Sequence, residues 1–337
     1  MSAAVTVAIP VLNGAAYLDE VLSAVRSQEL DRELELLIVD SGSTDRSAEI
    51  ARRHGARVHE IERERFSHGG TRDLLMALAR GDHVAFLTQD ATPADRSWLR
   101  RLLEAFELGR DVGIAFGPYR PRPGAPVAVR REFDEWFASF APDGRTIVDR
   151  LGDRDPWPPQ PDSRTGFYTS ANGCLSRWAW ERIPFGQVTY AEDRLLACEM
   201  LRAGVAKAFV PEAAVVHSHD YPPLAHFRRC FDEWRGLREI FGHVEQLGLR
   251  PTLGAVRSGV RRDRAYLRHV DGASSNDGRE TLRSLAYHAS RAAGAVLGSR
   301  ADRLPAAIRR ICSLEGRAGF EMRESGAASE GRVAPVA

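Results

Sequence analysis

Lysine is almost missing from this chain: of its 47 Lys and Arg residues, only Lys207 is a lysine. Cysteine is scarce too. Cys174, Cys198, Cys230 and Cys312 form no Cys-x-x-Cys pair and show no short spacing. That pattern speaks against a zinc site or a disulfide framework and for reduced, mostly buried thiols in a cytosolic protein. No run approaches the roughly 18 apolar residues that span a bilayer, so any membrane association is expected to be peripheral. No basic n-region or cleavage site precedes the first strand, and a secretory signal is not expected. Neither a Gly-x-Gly-x-x-Gly after the first strand nor a Walker loop is present, which weighs against dinucleotide binding and ATP hydrolysis.

What remains is ordinary globular composition, with 43% hydrophobic and 28% charged residues in 337. That length suits one large domain, or one domain with a sizeable appendage. The net charge of +1 hides an asymmetry. Residues 222–337 carry 20 Arg against 13 Asp and Glu, whereas residues 1–221 are net acidic by 6. A basic tail of this kind suits an anionic surface; a general preference for arginine over lysine accounts for it equally well.

The first 120 residues alternate strand and helix. Val5 to Val11 is a near-continuous apolar run, as in a parallel strand buried on both faces. A helix follows with Leu18, Val21, Leu22 and Val25 on one face. Further strands are expected at Leu34–Val39, Arg57–Ile61, His83–Thr88 and Val112–Phe116, with helices between them ending at Gly55 and Gly81. Units of this length imply right-handed crossovers and a doubly wound sheet. From Gly117 the pattern breaks. Pro121, Pro123 and Pro126 predict irregular chain, Arg130 to Phe140 a helix, and residues 141–166 a long loop. Order is expected again at Ser170–Leu175, in a helix from Glu192 to Ala203, in a strand at Val205–Val210 and over Ala213–His217. Beyond Pro223 the chain reads as helical, with a polar break at Asp271–Asp277.

In an open α/β sheet, ligands bind at the carboxyl ends of the strands, and the polar groups collect there. Asn13, Asp40, Asp45, His68-Gly69-Gly70, Arg72 and Asp90 all follow strands or open helices. Gly69 and Gly70 would admit a phosphate close to the backbone, and Arg72 would pair with it bidentately. Asp40, an acceptor-only group, suits a base N–H, although turn and cap chemistry explains Asp40 or Asp45 alone just as well. Asp90 ends an apolar strand, where a carboxylate has little packing purpose, and a hard cation bridging a diphosphate needs such an oxygen ligand. Two histidines in His217-Ser218-His219 offer a further ligand at a later strand end.

The order Ile9-Pro10-Val11-Leu12-Asn13-Gly14, Val39-Asp40-Ser41-Gly42-Ser43-Thr44-Asp45, the Asp90 loop and Glu192-Asp193 resembles the inverting family 2 glycosyltransferases of GT-A fold. Phe66-Ser67-His68-Gly69-Gly70-Thr71-Arg72, Phe86-Leu87-Thr88-Gln89-Asp90-Ala91 and His217-Ser218-His219-Asp220-Tyr221 are similar to the bacterial rhamnosyltransferase branch. The resemblance spans about residues 4–221. It implies a GT-A catalytic domain over 1–221, with a mostly parallel sheet flanked by helices, and a helical extension over 222–337. It further implies that Asp40, Ser41, Gly69, Gly70, Gln89, Asp90 and Arg72 hold the nucleotide sugar, in a pocket shaped by Pro10 and Asn13. Asp90, His217 and His219 would bind a divalent Mg or Mn ion. Asp193, beside Glu192, would be the general base that deprotonates an acceptor hydroxyl. Two positions depart from the pattern: Gln89 replaces an acid often found in the metal motif, and Asp73 stands where the branch usually has Asn.

The implied reaction moves rhamnose from dTDP-rhamnose onto a surface polysaccharide or a lipid-linked saccharide, with no nucleic-acid partner. The alternatives are another hexose from a UDP- or GDP-sugar, or a non-catalytic nucleotide-binding homologue. Leu304, Ala307, Ile308 and Ile311, interleaved with Arg303, Arg309 and Arg310, read as a basic amphipathic helix. Such a helix either lies on the inner face of a cell membrane or packs its apolar face on the catalytic domain. The expected location is cytoplasmic, peripheral to the membrane if the first holds.

Overall fold

The computed structural model describes residues 4–152, 163–188, 190–246, 248–270 and 278–322. Two units emerge, Met1–Asp220 with Ala265–Asn276, and Tyr221–Arg264 with Asp277–Ala337. The polar break at 271–277 and the middle of the proline-rich loop, 153–162, lie outside the described residues.

The strands of the first unit are β1 (Val5–Val11), β2 (Leu34–Asp40), β3 (Arg57–Glu60), β4 (His83–Leu87), β5 (Thr92–Pro93) and β6 (Val112–Phe116), followed by β7 (Tyr119–Arg120), β8 (Ile147–Asp149), β9 (Asn172–Ser176), β10 (Ala206–Phe209) and β11 (Val215–Val216). Its helices are α1 (Leu18–Arg26), α2 (Ser47–Arg53), α3 (His68–Leu78), α4 (Trp98–Glu104), α5 (Val127–Phe140), α6 (Arg177–Arg182) and α7 (Glu192–Arg202). Eight strands form the main sheet in the order β3-β2-β1-β4-β9-β6-β10-β8. The first four are parallel, as are β6 and β10.

Alternation explains why both faces of this sheet are dry. In β1, Val5, Val7 and Ile9 pack with Leu18, Val21 and Leu22 of α1 on one face, while Ala8 joins Leu75 and Met76 of α3 on the other. Each fully buried Val, Leu or Ile stabilises the fold by about 1.5–3 kcal/mol relative to exposure. The sheet is mostly parallel, as expected; within it β9 runs antiparallel to both β4 and β6. Residues 163–171, directly before β9, hold no helix or strand, and β9 enters from the carboxyl edge. As expected, residues 121–126, which hold Pro121, Pro123 and Pro126, form no helix or strand. A two-residue strand, β7, precedes Pro121, and α5 begins directly after Pro126, where a proline's missing N–H costs nothing.

The lone lysine is fully buried in β10. Its Nζ donates to the carbonyls of Phe167 at 2.7 Å and Arg164 at 2.9 Å and lies 3.1 Å from an Asp149 oxygen of β8. The rings of Phe116 and Phe140 face it at 5.3 and 6.0 Å. Burial pulls its pKa down while Asp149 opposes that pull. Lys207 thereby pins irregular chain to the sheet edge. Lys207→Met keeps the length but strands Asp149 and two carbonyls. Urea unfolding should show a loss of about 3–5 kcal/mol; a change within 1 kcal/mol would contradict this role.

The second unit comprises α8 (Pro223–Phe241), α10 (Gly278–Gly298), α11 (Ala306–Cys312) and most of α9 (Leu249–Val270), as a helical extension. The expected amphipathic helix around Ile308 is the short α11. It buries none of its residues, and Ile308 and Ile311 are 43% and 61% exposed. No described helix is long and apolar enough to cross a membrane.

Candidate active site

A second, three-stranded sheet of order β5-β11-β7 assembles the first part of the site. Its strands are two residues long, with Val216 paired to Thr92 on one side and to Arg120 on the other. Two residues before β5 stands Asp90; directly after β11 comes His217. The pairing therefore brings them together, with His217 Nδ1 3.4 Å from Asp90 Oδ1 and His219 Nδ1 3.6 Å from Asp90 Oδ2. One ligand atom from each of Asp90, His217 and His219 lies within 4.8 Å of the other two. Ligands about 2.1 Å from a cation sit about 3 Å apart when adjacent, so this trio needs only a small contraction to hold one. One carboxylate with two imidazoles is a mixed oxygen and nitrogen set of the kind that holds a divalent cation. His217 is buried and packs edge-on against Tyr119 at 5.1 Å, while the His219 side chain is 41% exposed.

The β1 and β2 ends form the second part. Asn13, in the left-handed region at φ 50°, accepts from Thr44 N at 2.8 Å, and its own N–H donates to Ser43 Oγ. Ser41 is buried and donates through Oγ to the Val11 carbonyl. These bonds lock two loops around Asp40. Asp40 Oδ1 accepts from the N–H groups of Gly42 and Ser43, but its buried Oδ2 has no hydrogen-bond partner among the described residues. A buried carboxylate oxygen left open is costly and suits a ligand donor such as a base N–H. Pro10 lies in β1, half-buried, paired with Val39. Gln89 is committed elsewhere. Its Oε1 accepts from Leu12 N at 2.8 Å and its Nε2 donates to Leu12 O at 3.1 Å. The amide at this acid-to-Gln position thus clips the Asp90 loop to the end of β1.

The third part lies between α3 and α7. Arg72 Nη1 is 2.8 Å from Glu192 Oε1 and donates to the His68 carbonyl at 2.9 Å, with both charged side chains buried. The expectation of Arg72 facing a phosphate is thereby modified: here its charge is met by Glu192, while its buried Nε has no partner among the described residues. Gly69 and Gly70 also serve a purpose that the sequence did not suggest. A Cβ on Gly69 would meet the Gly186 carbonyl at 2.2 Å, and one on Gly70 would meet Gln187 Oε1 at 2.6 Å. Their bareness admits the 186–188 segment, whose Val188 carbonyl accepts from Gly69 N. Asp73 holds the same segment, accepting from Trp180 Nε1 and from the N–H groups of Phe185 and Gly186. This accounts for the Asp at a usual Asn position.

Asp193 opens α7 two residues after Ala191, itself left-handed at φ 56°, an unfavourable conformation for a non-glycine residue. Burial, then the adjacent Glu192 charge, push its carboxyl up to about 6 against the pull of Arg72 and Arg194. A carboxylate poised near neutrality can accept a proton and release it again.

The sequence-predicted residues therefore fall into three sets: Asp90 with His217 and His219; Asn13, Asp40 and Ser41 in the interlocked loops; and Arg72 with Glu192 and Asp193. Gln89 joins the first set to β1. Sequence reasoning missed Arg122, whose Nη2 donates to the Asp90 carbonyl at 2.9 Å and to Thr92 Oγ1 at 3.1 Å. An arginine between two prolines just past a strand was the available signal, and the prolines masked it.

Known proteins resemble this chain in sequence and in fold. Residues 6–154 match the model of the family described as Glycosyl transferase family 2. The O-antigen chain rhamnosyltransferase WbaN of Salmonella anatum is 31% identical over 232 residues, 67% of this chain and 70% of that one. The O-antigen chain rhamnosyltransferase RfbN of Salmonella typhimurium is 28% identical over 232 residues, 68% and 70% of the two chains. Among solved structures, the mannosyltransferase PcManGT from Pyrobaculum calidifontis, in complex with GDP-Man and Mn2+, superposes with a TM-score of 0.55 at 19% identity, covering 87% of this chain and 86% of that one. The fold, a mostly parallel sheet flanked by helices, is thus that of a GT-A glycosyltransferase, and 232 of its residues align at 31% identity with a rhamnosyltransferase. The chain belongs to the family 2 glycosyltransferases, and within them it resembles the rhamnosyltransferases.

Proposed function

We propose that this enzyme transfers rhamnose, with inversion, from dTDP-rhamnose to a hydroxyl of a cell-surface polysaccharide or lipid-linked saccharide precursor. The observation that carries the reading is the convergence of Asp90, His217 and His219 from two chain segments within 4.8 Å, in a GT-A sheet whose relatives are O-antigen rhamnosyltransferases. A divalent cation held there would neutralise charge on the departing diphosphate. The open Asp40 oxygen receives the base, and the loops tied by Asn13 and Ser41 hold its shape. Asp193 takes the proton of the acceptor hydroxyl, and Arg72 keeps the neighbouring Glu192 in place. For a lipid-linked acceptor, exposed Ile308 and Ile311 beside Arg310 supply an apolar and basic contact with an anionic membrane surface.

A donor panel tests the sugar. Purified protein with Mn2+ should release nucleoside diphosphate from dTDP-rhamnose at least 10-fold faster than from UDP-glucose or GDP-mannose. A faster UDP- or GDP-sugar would overturn the choice of donor.

A further inference from the structure

We propose that Arg122 is the positioning residue of the Asp90, His217 and His219 cluster, setting its affinity for a divalent cation; this rests on reading that cluster as a cation site. Arg122 is bonded to both chain segments that supply the ligands. Its side chain, 16% exposed, donates from Nη2 to the Asp90 carbonyl at 2.9 Å and to Thr92 Oγ1 at 3.1 Å. Its main-chain N–H donates to Ser218 Oγ at 3.0 Å, and Ser218 stands between the two histidines. One residue thus spans from the carboxylate loop to the imidazole pair.

The guanidinium is itself held from the other side. Nη1 lies 3.1 and 3.3 Å from the two Glu20 oxygens, and Cζ sits 4.2 Å above the Tyr17 ring. Tyr17 is the residue just before α1 and Glu20 lies in its first turn, so the cluster is referenced to a helix whose Leu18, Val21, Leu22 and Val25 are buried in the core. Pro121 and Pro123 flank Arg122; the first fixes its own φ and the second restricts the backbone of Arg122. Because the bond to Asp90 uses the carbonyl, the carboxylate stays available to a cation. Glu20 offsets the positive charge that would otherwise oppose one.

The consequence is specific. A cluster with one carboxylate depends on preorganisation, because few ligands share the work of binding. The planar fork that reaches Asp90, Thr92 and Glu20 together is a property of arginine that lysine cannot reproduce.

Mn2+ binding, read by water-proton relaxation on the full chain, tests this with wild type, Asp90→Ala, Arg122→Ala and Arg122→Lys, each checked by thermal melting. Arg122→Ala should weaken Mn2+ about 10–100-fold and Arg122→Lys at least 5-fold. In donor turnover the Mn2+ concentration for half-maximal rate should rise accordingly, with the rate at saturating Mn2+ staying within 3-fold. A general loss of packing would lower that saturating rate instead. If Arg122→Ala fails to fold, Arg122→Lys carries the measurement. Mn2+ affinity within 2-fold of wild type in a folded Arg122 variant, with Asp90→Ala weakened, overturns the positioning role and leaves the cation site standing. Equal binding by wild type and Asp90→Ala removes the cation site, and this proposal with it.

Discussion

Asp193→Asn should lower sugar-transfer turnover about 10²–10⁴-fold, the usual contribution of a general base, while dTDP binding stays within a few-fold of wild type. The substitution removes the proton acceptor but keeps the size and the bond accepted from Arg194 N at 2.8 Å. The pH dependence carries a sign. Burial and the Glu192 charge raise the Asp193 carboxyl to about 6, and only the deprotonated form acts as base. Turnover should therefore be full above about pH 7 and fall about tenfold per unit below pH 6. Glu192→Gln should move that inflection downward, because it removes a repelling charge and releases Arg72 from its 2.8 Å pairing. Unchanged turnover in Asp193→Asn would remove Asp193 from the role of base.

Asp90→Ala should abolish stimulation by Mn2+ and lower turnover about 10²–10³-fold, since several kcal/mol of charge stabilisation on the leaving group would be lost. The neighbouring histidines should not contribute equally. His217 is buried against Tyr119, so its ring is preorganised, whereas the His219 side chain is 41% exposed. His217→Ala should accordingly raise the Mn2+ requirement more than His219→Ala. Steady-state nucleotide release across a Mn2+ titration reads all three variants. An Asp90→Ala enzyme that keeps the wild-type Mn2+ response would contradict the cation site.

The parts of this fold that were legible in the sequence are those written in long periodic runs. β1 alternates apolar residues between two buried faces, and α1 places four apolar residues on one stripe. The acids at strand ends were legible because a carboxylate after an apolar strand has no packing purpose. What was hidden is short or reciprocal. β5, β7 and β11 have two residues each, too few to show any period, yet their pairing sets Asp90 beside His217. The antiparallel course of β9 depends on how irregular chain returns to the sheet, which Asn172–Ser176 does not encode locally. Partners were hidden as well. Arg72 pairs with Glu192, the Gln89 amide with Leu12, and Gly69 lies against Gly186, and none of these partners shows in the local sequence.

Cation-dependent nucleotide release from dTDP-rhamnose by the purified chain tests the central claim most directly. Release should be abolished by EDTA, restored by Mn2+, and lost in both Asp90→Ala and Asp193→Asn. Release that persists at the same rate in EDTA and in both variants would contradict it.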